Sequence, residues 1–127
     1  MKTLNRVAVF AGLVSAAVVL AGVGTAQDVA AVAPESHKVI LENDQVRVLS
    51  VHVRPGEKVA MHSHPANVAY FLTDGKLKIT LPNGKTEERT IKAGTANWSE
   101  PATHAAENIG SAPFEEVQIE LKQPAKK

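Results

Sequence analysis

Two histidines separated by one residue, His62 and His64, are followed forty positions later by a third, His104. Along a β-strand, side chains at i and i+2 leave the same face. His62 and His64 would therefore project two imidazoles to one side, and an imidazole from a distant strand would complete one face of a metal site. Neutral imidazole is the commonest protein metal ligand and suits iron, copper, nickel and zinc. The plainer reading of His62-Ser63-His64 is a pair of polar residues at a strand end. His52 reads as an exposed or hydrogen-bonded strand residue, and His37 as solvent-exposed. The chain has no cysteine, which excludes a thiol nucleophile and thiolate ligands. Any further metal donor would be carboxylate, amide or water. No Gly-x-Ser-x-Gly elbow, phosphate-cradling glycine loop or His-Glu-x-x-His pattern occurs.

The elements that must position these histidines read as strands. Val46 to Val53 is dense in β-branched residues and stops at Pro55-Gly56. Lys58 to His64 follows, then Asn67 to Thr73, ended by Asp74-Gly75, a hairpin signal. Lys76 to Leu81 alternates polar and apolar residues, as a half-buried strand does. Pro82-Asn83-Gly84 turns the chain, and Lys85 to Ile91 reads as an exposed edge. Thr95 to Trp98, His104 to Asn108 and the alternating Glu116 to Leu121 complete the set. Short strands with Gly, Pro and Asn turns every ~8–12 residues indicate an all-β sandwich or barrel. Alternation points Val68, Tyr70 and Leu72 to the interior. Tyr70 is thus a candidate to position a substrate or dioxygen through its hydroxyl, against the plainer reading of a core aromatic. Met61 and Trp98 read as core residues, with Trp98 alternatively at a pocket mouth, and Glu100 as solvated.

The ends of the chain read differently. Lys2 and Arg6 precede an apolar run from Val7 to Val23, and Gly24-Thr25-Ala26 supplies small residues. This is the pattern of a secretory signal cleaved after Ala26. The alternative is an uncleaved anchor, since about 17–20 apolar residues can just span a bilayer. No cysteine follows the run, so a lipoprotein anchor is excluded. The expected organisation is a signal peptide over 1–26, a flexible lead-in over 27–38, a β-barrel domain over 39–121 and a tail over 122–127. The whole chain carries 14 Lys and Arg against 13 Asp and Glu. Without Lys2 and Arg6 the balance is 12 against 13, close to neutral. No basic stripe points to nucleic acid. The expected location is periplasmic or secreted, with no stable membrane association after cleavage. A small exported domain without disulfides is held by its own core, a metal or a partner subunit.

These residues resemble the cupin superfamily, small antiparallel β-barrels of two facing sheets. Gly56, His62, His64 and Gly75 fall on the spacing of its first motif, and Gly94, Pro101, His104 and Asn108 resemble its second. Thr103 stands where the second motif often has glycine. The family's glutamate ligand maps onto Val68, and Asn67 and Glu107 have the wrong parity to replace it. The resemblance therefore implies a small cupin-type, jelly-roll-like barrel with a divalent metal on His62, His64 and His104. Asn108 would close the turn near Gly110.

Three-histidine centres within the cupins imply iron, with manganese, nickel, zinc and copper as other possibilities, and oxygenation of a small organic substrate. Without the carboxylate, the metal would be a stronger Lewis acid in a site that favours anions. The rival expectation is a non-catalytic module that holds a metal or small ligand in the periplasm. A third is a degenerate barrel serving only in an oligomer. A homodimer is expected because exposed edge strands are commonly paired or covered.

Overall fold

The computed structural model describes residues 27–123. The segments expected as signal peptide, and the tail beyond Gln123, lie outside the described residues. The chain begins with a single helical turn, α1 (Val29–Val32), followed by nine strands. These are β1 (His37–Glu42), β2 (Val46–Val53), β3 (Lys58–His64), β4 (Asn67–Phe71), β5 (Gly75–Thr80), β6 (Thr86–Ile91), β7 (Ala96–Ser99), β8 (Ala102–Asn108) and β9 (Phe114–Leu121). All strand pairs within the sheets are antiparallel. One sheet has the order β1-β2-β9-β4-β7 and the other β3-β8-β5-β6. This is the two-sheet all-β barrel expected from the sequence. Among the described residues, no helix is long and apolar enough to cross a membrane.

The turn residues explain where the strands stop. Asn83-Gly84 closes the β5–β6 hairpin, with Gly84 at φ 83°, a conformation that side-chain-bearing residues rarely adopt. Asp74-Gly75 does not make the expected hairpin. β4 and β5 belong to different sheets, and the chain crosses between them there. The demand on Gly75 is close approach, since a Cβ at that position would lie 2.7 Å from Cδ2 of Phe114.

Phe114 belongs to the apolar core with Val29, Leu49, Val51, Val53 and Val59. Partly buried Phe71, Leu77, Ile91 and Ala106 pack against it. Val29 has no exposed surface, so the segment expected as a flexible lead-in is packed into the barrel. Its helical turn contacts β1 and β3, which are edge strands of opposite sheets. Asp28 bridges to Ser63 and pairs with Arg47 of β2. The sequence showed no periodicity here because one turn is too short to display any.

A second departure concerns the faces of β4 and β9. In β4, Asn67 and Ala69 are buried whereas Tyr70 is 45% exposed. In β9, Gln118 and Glu120 are buried beside Phe114. The apolar alternates point outward. Register places Leu41, Val48, Ile119, Val68 and Trp98 in one row across the five-stranded sheet. Val68, Tyr70, Leu72 and Trp98 therefore do not wall the interior as expected, and Trp98 is 51% exposed.

Replacing Gly75 with Ala should force the Phe114 ring to move, at a cost of about 1–3 kcal/mol. Urea denaturation should show a lower midpoint, with partial recovery when Phe114→Leu is added. An unchanged midpoint for the single variant would show that the ring has room to yield.

Candidate metal centre

A bulge in β3 aims the histidines. Val59 pairs with Ala106 and His62 with His104, so one extra residue lies between the two pairs on the β3 side. Such an insertion reverses which alternate residues face inward. Val59 is buried above the bulge, and His62 and His64 are buried below it. The same insertion turns Met61 outward, to 37% exposure, where the sequence suggested a core residue. His104, directly opposite His62 on β8, completes the group. One potential ligand atom from each of His62, His64 and His104 lies within 4.8 Å of the others.

The hydrogen bonds behind the rings fix their tautomers. His62 Nδ1 is 2.7 Å from the carbonyl oxygen of Ala60. A carbonyl only accepts, so Nδ1 carries the proton and Nε2 keeps its lone pair. His64 Nδ1 is 3.1 Å from Glu120 Oε1 and donates to it. His62 Nε2 and His64 Nε2 then face each other 2.8 Å apart. Two lone pairs at that separation repel. Cis ligands each about 2.1 Å from one metal ion would sit about 3 Å apart. The donor set thus fits a metal ion, and the cluster could hold one.

Burial also favours unprotonated rings. Desolvation, together with neighbouring histidines, lowers the pKa of His104 to about 3. Desolvation lowers that of His62 as well, partly opposed by the bond to Ala60. The nearest carboxylate, Glu120, is buried and spends its second oxygen on Arg47, 2.8 Å from Nε. Arg47 in turn pairs with Asp28. The inward β4 position is the amide Asn67, which accepts from Gln118 Nε2 at 3.2 Å. Asn67 therefore faces inward although its parity argued against it. Val68, onto which the family's glutamate maps, lies on the other face of β4.

The histidines form one end of a cavity of about 360 Å³, the size of an ordinary small-ligand pocket. Its lining includes Glu116 and the apolar Val51, Phe71, Leu77, Ile91 and Phe114. Arg89, Asn97, Glu100, Pro101 and Ala102 both line it and are exposed, which places the mouth beside them. Glu100 lies at this mouth and also accepts from Trp98 Nε1 at 2.8 Å.

His37, expected in solvent, is 7% exposed, with its ring 6.0 Å from that of His62. It starts the strand that pairs with β2, which turns it inward, and burial lowers its pKa to about 4. Tyr70, the other candidate from sequence, is outside the cavity. His52 is exposed and bonds Glu115 at 2.9 Å, as expected of a strand histidine. Asn108 closes its turn as expected, accepting from Gly110 N at 2.9 Å.

Sequence reasoning missed Glu116, Gln118, Glu120 and Arg47. The available signal was a lone arginine on the Leu49–Val51–Val53 face of β2 and a strictly alternating polar set in β9.

Comparison with known proteins agrees with this architecture. No family model matches the sequence, and no curated protein matches it. Among solved structures, a cupin domain from Bordetella pertussis is 26% identical, with a TM-score of 0.64 over 68% of this chain and 92% of that one. An uncharacterized conserved protein with a double-stranded β-helix domain from Klebsiella pneumoniae is 29% identical, with a TM-score of 0.54 over 65% and 72% of the two chains. A cupin superfamily protein from Desulfitobacterium hafniense, 17% identical, shares the fold with a TM-score of 0.53 over 68% and 76%. The fold is the cupin double-stranded β-helix.

Two predictions follow from the centre's geometry. Glu120→Gln should leave the three rings in place but weaken Zn²⁺ binding about 10–100-fold, because a neutral amide with one acceptor oxygen cannot serve both His64 and Arg47 and removes the negative charge behind His64. Chelator competition measures this, and an unchanged affinity would remove Glu120 from the centre. The metal-free protein should also lose stability as pH falls from 6.5 toward 4. The unfolded chain then takes up protons that folded His37 and His104 refuse. Glu116, raised to about 7 by burial, acts oppositely: its contribution falls as pH rises from 4.5 to 7. Thermal melts across this range should therefore show a steeper acid loss in Glu116→Gln than in the parent.

Proposed function

We propose that this protein binds a divalent metal ion through His62, His64 and His104 and presents it to a small anionic organic ligand in the cavity. The observation that carries the proposal is the facing pair of Nε2 atoms, 2.8 Å apart. Each tautomer is set from behind by Ala60 or Glu120. Three protein ligands on one side leave positions free for ligand and solvent. Iron, when bound, would supply dioxygen activation, making the protein a small dioxygenase. The chain's own residues bind and orient. The histidine end holds the anionic group, Phe71 and Phe114 exclude bulk water around its body, and Arg89 stands at the mouth as a cation for the approaching anion.

The alternative, a periplasmic binding module without turnover, uses the same centre. Metal content followed by oxygen consumption separates the two. Full-length protein purified without chelators should carry near-stoichiometric metal, and the His62→Ala/His104→Ala variant should carry none while remaining folded. Iron together with ligand-dependent oxygen uptake supports the dioxygenase, and stable metal without uptake supports the binding module. Wild-type protein that neither carries nor takes up metal would defeat both.

The proposal also places the domain outside the cytoplasm, on the leader-like pattern of residues 1–26, and pairs two copies. The apolar row Leu41–Val48–Ile119–Val68–Trp98 supports the pairing through the sheet face instead of the edges. That row contains no charged residue, which suits a second copy of itself. Sedimentation should report a dimer that Val68→Glu converts to monomer.

A further inference from the structure

The inward face of β9 carries Glu116, Gln118 and Glu120 at successive alternate positions, and their commitments differ. Glu120 is fully engaged by His64 and Arg47. Gln118 donates its amide nitrogen to Asn67 Oδ1 at 3.2 Å, with the same nitrogen 3.3 Å from His64 Nδ1, and its Oε1 is buried with no hydrogen-bond partner. Glu116 lines the cavity and has no hydrogen bond or ion pair among the described residues. Its register neighbours are Val51 on one side and Phe71 on the other. The cavity therefore has a polar end with the histidines and an apolar end with a single uncommitted carboxyl.

Apolar neighbours on both sides reduce a carboxyl's hydration, and no protein group among the described residues bonds to it in return. The same burial raises its pKa to about 7, so near neutrality it exists as both acid and carboxylate. A hydroxyl satisfies either form, because it both donates and accepts. A second carboxylate would meet repulsion from the ionised form. The spacing sets the length of the ligand. Gln118 lies 3.3 Å from His64, and Glu116 is the next inward residue, roughly 7 Å further along the strand. One six-membered ring spans such a gap, and the walls there include Phe71 and Phe114.

We propose that Glu116 is a specificity-determining residue that reads a hydroxyl at the far end of the ligand. The ligand class is a single-ring organic acid with its carboxylate at the histidine end and its hydroxyl across the ring, beside Glu116. Gln118 Oε1 lies between the two ends and accepts a hydrogen bond from a donor or water on the ligand's flank. The direction of binding rests on the metal-centre reading above, whereas the hydroxyl preference belongs to Glu116 alone.

The test is calorimetric titration of full-length protein with 4-hydroxybenzoate and with benzoate, beside Glu116→Leu and Glu116→Gln. Metal content is measured on the same preparations. The expected result is that 4-hydroxybenzoate binds about tenfold tighter than benzoate. The ratio should collapse toward one in Glu116→Leu and be partly retained in Glu116→Gln. Glu116→Leu should also melt higher than the parent, because an uncommitted carboxyl has left an apolar site. If it fails to fold, the ratio in Glu116→Gln decides. A ratio that persists undiminished there overturns the proposal. So does equal binding of the two probes by the parent, or binding of neither. A clear hydroxyl preference in protein that takes up no metal would support Glu116 and sink the metal-centre reading. Stoichiometric metal without the preference would do the reverse.

Discussion

Glu120 is a carboxylate with 2% of its surface exposed, and a buried charge must be paired or the fold does not tolerate it. Its partners organise much of the molecule. Arg47 pays the charge from β2, His64 donates from β3, and Asp28 holds the far side of Arg47 from the start of the chain. One polar path thus joins both sheets and the N-terminal segment to a metal-facing ring. The helical turn that brings Asp28 also closes the barrel between β1 and β3. The centre and the closure of the barrel therefore share the Asp28–Arg47–Glu120 chain.

Within that frame, the cavity divides its chemistry by length along the strands. Toward the histidines, His62 and His64 each have a defined acceptor behind the ring, so the orientation of those two rings is set before any ligand arrives. Toward Phe71, Leu77, Ile91 and Phe114, packing replaces hydrogen bonding. A ligand entering past Arg89 meets both environments at once. Such a cavity discriminates by matching two ends, which a uniformly polar or uniformly apolar pocket cannot do.

Strand positions were legible in the sequence because their causes are local. β-branched runs build β2, and Pro55-Gly56 and Asn83-Gly84 end strands through their own backbone preferences. The three histidines were legible because spacing and resemblance agreed on them. The facing of β4 and β9 was not legible. Alternation identifies two faces but not which is inside, and the ordinary assumption puts the apolar face inward. Here the interior needs Asn67, Gln118 and Glu120, so the assumption fails for Val68 and Tyr70. The β3 bulge was hidden for another reason. It exists only as a relation to β8, and its effects on Met61 and His62 are invisible in either strand alone. His37 was misplaced because its burial depends on a pairing with β2 that its own neighbours do not announce.

The inverted polarity of β9 has a consequence for how this chain finds its fold. Sliding β9 by one residue would bring Glu115, Val117, Ile119 and Leu121 inside and send Phe114, Glu116, Gln118 and Glu120 outward. By apolar side chains alone, that decoy exchanges one core aromatic for three aliphatic residues. The native register is selected against it by Phe114 in the core and by a handful of polar contacts, chiefly Glu120 with Arg47 and His64, and Gln118 with Asn67. The landscape therefore carries a built-in competitor whose disadvantage includes the same set of bonds that makes the site. Sequence changes that erode the site also narrow the gap to a misregistered barrel, so loss of chemistry and loss of a unique fold are expected to travel together.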